Sequence, residues 1–238
     1  MNNLVKCPKC ATENLAEFSF CKNCGYYLKD IGGTAAPIDF GDDITLREIA
    51  LVTKDPSGKY ERAFCKMHRT GKKININLPV LLSGLFFGMP FIWFFYRKMY
   101  KIGTVILLIT LALSFATFYC GVNYTLLFMA NYQTAVAATS DINFWQKLTN
   151  ASNFIYDAFA VGISLFANYF YKNYCFKKIK SAKNNTDLLL AQKPTSIAAA
   201  AISFIVWFLA LIFCIFFMCF FFQPNLSYYL NSSEVISL

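Results

Sequence analysis

The stretch from Ile197 to Phe222 holds 26 uncharged residues. At 1.5 Å per residue it makes about 39 Å of helix, more than the ~30 Å hydrocarbon core of a bilayer requires. Three other apolar runs precede it: Ile76 to Tyr96, Ile102 to about Asn131, and Asn153 to Tyr171. With 57% hydrophobic, 18% aromatic and only 15% charged residues, the chain is too apolar for an ordinary soluble domain, so lipid must solvate much of it. The expected fold class is an all-α polytopic membrane protein with three or four transmembrane helices.

The 238-residue chain carries a formal charge of +9. Nucleic acid is one explanation of such a balance, but Lys and Arg of membrane proteins gather on the cytoplasmic side, beside anionic headgroups. The first apolar run begins near Leu78, and the N-terminus lacks the order of basic, apolar and small residues found in a cleavable signal peptide. Residues 1–77 are therefore expected in the cytosol, which makes this a multi-pass protein of the cytoplasmic membrane.

Topology follows from where the 22 basic residues fall. If all four runs cross, Arg97, Lys98, Lys101, Lys172, Lys177, Lys178, Lys180, Lys183 and Lys193 lie outside in short loops, against the positive-inside rule. If the first run instead enters and leaves on the cytoplasmic face, only Lys147 is misplaced. That run contains Pro79, Gly84, Gly88 and Pro90, the residues a re-entrant bend needs. A kinked but true span is the competing reading, since transmembrane helices tolerate Gly and Pro.

Ahead of the membrane region, Cys7-Pro8-Lys9-Cys10 and Cys21-Lys22-Asn23-Cys24-Gly25 form two CxxC knuckles separated by ten residues. In the reducing cytosol such pairs hold metal rather than form disulfides. Two knuckles complete a tetrahedral four-sulfur site with bonds of about 2.3 Å, the pattern of a small β-rich zinc ribbon. Iron or a redox pair are the alternatives. All four coordination positions are filled by Cys7, Cys10, Cys21 and Cys24, so the site is structural, with no place for water or substrate. So short a segment cannot build a core; Zn2+, contributing on the order of 10 to 16 kcal/mol in small fingers, would fold it.

Composition divides the chain into a ribbon (1–29), a Gly-, Pro- and Asp-containing flexible linker (30–43), juxtamembrane amphipathic helices (44–74), a membrane domain (75–222) and a polar tail (223–238). Leu46, Ile49 and Ala50 at helical spacing, then a Pro56-Ser57-Gly58 break, predict two short helices. The second, about Lys59 to Arg69, sets Tyr60, Phe64 and Met67 against Arg62, Lys66 and Arg69. Such a helix lies on a membrane surface or belongs to a small soluble helical pair. Cys65 and His68 have CxxH spacing without a second half, so His68 is read as part of the basic face. Cys120, Cys175, Cys214 and Cys219 lie in or beside apolar runs, where Cys behaves as a small hydrophobe.

Lys59-Tyr60-Glu61-Arg62-Ala63-Phe64, Ile74-Asn75-Ile76-Asn77, the string Phe86 to Tyr100 and Phe166-Ala167-Asn168-Tyr169-Phe170-Tyr171 together resemble the bacterial family called domain of unknown function 2628. The aromatic-Tyr-Arg-Lys-Met-aromatic string is the most specific part, and the likeness covers roughly residues 45–180. The resemblance implies an N-terminal zinc ribbon ahead of the membrane region. Ala11 stands where a Gly usually follows the second cysteine, and the fourth apolar run extends beyond the family core. The family has no assigned activity, so the resemblance adds architecture and no mechanism.

Arg97 and Lys98, between Phe94-Phe95-Tyr96 and Met99-Tyr100, read as an interfacial anchor; the functional alternative is a lipid-headgroup or phosphate site made by Arg97, Lys98 and Lys101. Asp157 is the only acidic residue inside an apolar run, a structural group near the outer interface or an intramembrane polar site. No paired carboxylate, His-based triad or phosphate loop is visible, so no enzyme is expected. The leading expectation is a scaffold or regulator whose ribbon contacts a cytosolic protein partner, with the bilayer as the other partner and an oligomer open. A dense basic-aromatic stripe is missing from the ribbon, so nucleic acid is not the expected ligand. The alternative is a small channel, lipid-handling protein or transporter that uses the broken first run and Asp157.

Overall fold

The computed structural model describes residues 4–8, 10–16, 21, 28, 40, 44–55, 58–134, 140–182 and 193–234. Two short strands, β1 (Leu4–Lys6) and β2 (Glu13–Leu15), are followed by α1 (Leu46–Thr53), α2 (Lys59–Thr70), α3 (Leu78–Phe87), α4 (Ile92–Tyr96), α5 (Tyr100–Thr134), α6 (Ser140–Ser181) and α7 (Ile197–Glu234). These make two compact units. One comprises Met1–Leu78, Arg97–Met99 and Ser164–Ser196, the other Pro79–Tyr96, Tyr100–Ile163 and Ile197–Leu238.

In the first unit, β1 and β2 pair antiparallel, with Leu4 opposite Leu15 and Lys6 opposite Glu13. The juxtamembrane pair forms where its pattern places it. Thr45 caps α1 by accepting from the Glu48 amide while the Glu48 carboxylate accepts from the Thr45 amide, a reciprocal capping box. Gly58, at φ 63°, starts α2, and Gly71, at φ 66°, ends it.

The amphipathic stripe of α2 is covered by protein, not left for lipid. Tyr60, Phe64 and Met67 are buried. The rings of Tyr60 and Phe64 meet Tyr171 of α6 edge-on at 5.0 and 5.9 Å, and Phe64 also meets Phe176. This corrects the membrane-surface reading of α2: the periodicity reports an apolar face truthfully but does not say what covers it. Phe40 packs there too, its ring 5.2 Å from His68 and 5.7 Å from Phe176.

In the second unit, α7 packs on α4 and α5, and α4 on α5. Two helical stretches among the described residues are long and apolar enough to cross a membrane, Tyr100–Met129 and Ile197–Met218. The third apolar run is helical throughout within α6, but it carries Asp157, Ser164 and Asn168 and does not reach the same apolarity. Instead of ending near Phe222, α7 continues through Pro224 to Glu234, so the polar tail is helical for most of its length. Adding a residue to an established helix is far easier than starting one.

The first apolar run is neither one straight helix nor one kinked helix. It is outside any helix through Asn77, forms α3, breaks, and resumes as α4. The ten residues of α3 span about 15 Å, half of a hydrocarbon core. At the break, Gly88 sits at φ 65°, a backbone region that costs Gly little. Its carbonyl accepts from the Tyr156 hydroxyl at 2.7 Å. At Gly84 an added Cβ would lie 2.9 Å from the Ala160 Cβ, so only Gly allows α3 to approach α6 this closely.

Candidate metal centre and the Arg97 cluster

The cysteine site is built by the β1–β2 turn. Cys7 follows β1 directly; its amide donates to the Thr12 carbonyl at 3.0 Å, and its carbonyl accepts from the Ala11 amide at 2.8 Å. This tight loop turns Cys7 and Cys10 to one side. Cys7, Cys21 and Leu28 form a small buried cluster, with Cys10 packed against it.

The sulfurs of Cys7, Cys10 and Cys21 all lie within 4.8 Å of one another, and those of Cys10 and Cys21 are 3.4 Å apart. Tetrahedral coordination with 2.3 Å bonds places sulfurs about 3.8 Å apart, so the donor set fits a thiolate-bound metal ion. These cysteines are free thiols, not disulfide partners. Cys24, the fourth expected ligand, lies outside the described residues.

Two groups around the sulfurs escaped the spacing argument. Asn14, buried in β2, donates from Nδ2 to the Cys21 sulfur at 3.5 Å and to the Thr12 carbonyl at 2.7 Å. Thr12 Oγ1 lies 3.2 Å from the Cys10 sulfur. Donors to a thiolate disperse its charge and orient it, the usual task of groups just outside a metal's ligand shell. Ala11 takes φ 58°. That backbone region favours Gly, and Ala11 holds it under strain.

The three cations expected to act together separate. Arg97 turns inward. Its guanidinium carbon lies 4.5 Å from the Tyr60 ring centre and 5.1 Å from that of Tyr171, and its nitrogens donate to the two hydroxyls at 2.8 and 3.4 Å. Lys98, at φ 60°, follows in the turn, its carbonyl accepting from the Tyr174 hydroxyl at 3.1 Å. Lys101, at the start of α5, is exposed. Three tyrosines therefore grip the Arg97-Lys98 turn, and the half-buried Arg97 cation rests against two aromatic faces.

Cys175 lies fully buried in the same unit, and burial pushes its thiol up to about 12. It is a neutral packing group, as its place beside an apolar run suggests. His68 is exposed. The side chain of Cys219 lies outside the described residues.

Asp157 is exposed on α6, and its carboxylate makes no hydrogen bond among the described residues. Tyr156, its neighbour, is the residue that reaches the broken first run. The structure thus brings Tyr60, Arg97 and Tyr171 together, as it does Asn75, Asn77 and Asn168, and assembles neither group around Asp157. Asn168 had a visible signal: a carboxamide inside an apolar run demands partners. No protein-family profile, curated protein or solved structure matches this chain.

Proposed function

We propose that this chain is a non-enzymatic scaffold or regulator of the cytoplasmic membrane, in which one structural Zn2+ held by Cys7, Cys10, Cys21 and Cys24 folds a cytosolic ribbon that recruits a protein partner. The observation that carries this reading is the convergence of three thiols within 4.8 Å at the end of a two-stranded hairpin. With Cys24 as fourth ligand the metal has no open position, and a closed site folds protein rather than catalyses. The ribbon's function then lies on its surface.

The membrane side of the proposal is a re-entrant first run followed by three spans, with the N-terminus in the cytosol. It is supported by the break at Gly88, the shortness of α3 and the placement of the basic residues. Kinship with the domain of unknown function 2628 family is part of the reading, on the strength of the Tyr96-Arg97-Lys98-Met99 string and its aromatic neighbours. Transport through Asp157 ranks second, because that carboxylate faces outward while Tyr156 fills the break.

Full-length protein solubilised from cells and captured on a C-terminal tag tests recruitment. A partner should co-purify with the wild type and be lost from Cys21→Ser or after zinc chelation. Equal recovery from wild type and Cys21→Ser contradicts the proposal.

A further inference from the structure

Between α2 and α3, residues 72–77 belong to no helix or strand, and from Ile74 to Leu78 exposed side chains alternate with covered ones. Asn75 and Asn77 turn inward. Their amides donate to the Leu165 and Ser164 carbonyls of α6, each at 2.9 Å. Asn77 Nδ2 donates to Asn168 Oδ1 at 2.8 Å, and Asn168 Nδ2 donates to Asn75 Oδ1 at 2.9 Å. Asn77 and Asn168 are 1% and 2% exposed, so their hydrogen bond is closed to water, while Asn75 is half-buried at the rim of the clamp.

The clamp fixes what faces the other way. Ile74, Ile76 and Leu78 are 57%, 59% and 54% exposed, a ridge of three branched aliphatic side chains at every second residue. Lys72 and Lys73, both exposed, stand at its start, and Lys73 lies 5.6 Å from the Tyr169 ring centre. No acidic residue occurs from Arg62 to Ser140. From Leu78 the chain passes directly into the broken apolar run.

We propose that this strap is an interfacial insertion element for an anionic lipid leaflet: Ile74, Ile76 and Leu78 enter the acyl boundary while Lys72 and Lys73 meet lipid phosphates. A ridge fixed by buried hydrogen bonds cannot turn its apolar side chains back into the protein, and lipid is the surface that accepts both aliphatic groups and a lysine pair. Two adjacent exposed positive charges at its start match the negative potential of a cytoplasmic leaflet. Residues 72–77 of the strap are not helical and only Leu78 opens α3, so it differs from an amphipathic anchoring helix, and Asn168 positions it from another part of the chain.

The inference rests on the chain being embedded in a membrane, and the test separates the two. Full-length protein carrying an environment-sensitive dansyl side chain at position 66, 76 or 108 is reconstituted into vesicles of phosphatidylcholine with or without phosphatidylglycerol. Quenching by bromine-labelled acyl chains is compared with quenching by aqueous iodide. Position 108, exposed on α5, should be lipid-quenched; position 66, exposed on α2, should be iodide-quenched. Position 76 should be quenched by bromolipid several-fold more than position 66. Lys72→Glu with Lys73→Glu should reduce that quenching in phosphatidylglycerol vesicles only, and Asn168→Ser should reduce it in both. Iodide quenching at 76 with lipid quenching at 108 overturns the strap alone, whereas iodide quenching at both overturns the membrane reading. Emission at 76 shielded from both quenchers means that protein covers the ridge, and also overturns the strap.

Discussion

The cysteine knuckle and the tyrosine-gripped turn at Arg97 belong to the same compact unit, yet opposite means hold them together. The knuckle has two three-residue strands and a buried cluster of Cys7, Cys21 and Leu28, too little apolar surface to offset the entropy of ordering it. Its sulfurs become anions on binding metal and need a cation from outside the chain. At Arg97 the chain supplies the cation itself, half-buried, and the faces of Tyr60 and Tyr171 offset its partial loss of water. On the proposed function, local order in the first region is conditional on metal; in the second it is built into the side chains.

Removing the metal should break the comparison most sharply. Chelation, or Cys21→Ser, should remove on the order of 10 kcal/mol of folding free energy from the knuckle. The helical part of the same unit should not respond. Amide hydrogen exchange in detergent checks both halves at once: protection is lost around residues 4–16 and retained in α2 and in α6 near Tyr171.

Within the helical part, Asn168→Ala should cost about 3 kcal/mol, because it removes one buried and one part-buried side-chain hydrogen bond, to Asn77 and Asn75. Exchange should then rise in the strap and adjoining α6, with metal content unchanged. A smaller effect is expected at Arg97→Ala, about 2 kcal/mol for a cation lost from between two largely buried rings. Arg97→Lys should recover only part of it, since an ammonium cannot bond both hydroxyls in a planar fork. Denaturant titration followed by tyrosine fluorescence measures these losses.

The smallest effect sharpens the contrast from the other side. Ala11→Gly should stabilise the metal-loaded knuckle by up to about 1 kcal/mol, the relief of a left-handed Ala less the added freedom of the unfolded chain. Competition with a zinc chelator should show tighter metal retention. Looser retention would mean that Ala11 contributes packing that outweighs its strain.

What the sequence makes legible follows the reach of each physical signal. Cysteine spacing brings Cys7, Cys10 and Cys21 together because a knuckle is local, and length with apolarity picks out the stretches of α5 and α7 that are long and apolar enough to cross a membrane. The short helices before the membrane region follow from a capping Thr45 and a Gly58 break. Signals that need a partner far along the chain fail. The stripe of Tyr60, Phe64 and Met67 declares an apolar face, but its covering groups, Tyr171 and Phe176, lie more than a hundred residues away. For the same reason the sequence places Arg97 among aromatics but cannot show that Tyr60 and Tyr171 pack against it. Asn14 and Asn168 are single polar residues whose roles appear only with the distances to Cys21 and to Asn75 and Asn77.

The metal-dependent knuckle is tested most directly by titrating the full-length protein with Co2+ as a spectroscopic stand-in for Zn2+. The expected outcome is one equivalent bound with the intense thiolate charge-transfer and tetrahedral d–d bands of a four-sulfur site, displaced by Zn2+ and lost or shifted in Cys24→Ser. Failure to bind, or a wild-type spectrum unchanged by Cys24→Ser, contradicts a closed site made by Cys7, Cys10, Cys21 and Cys24.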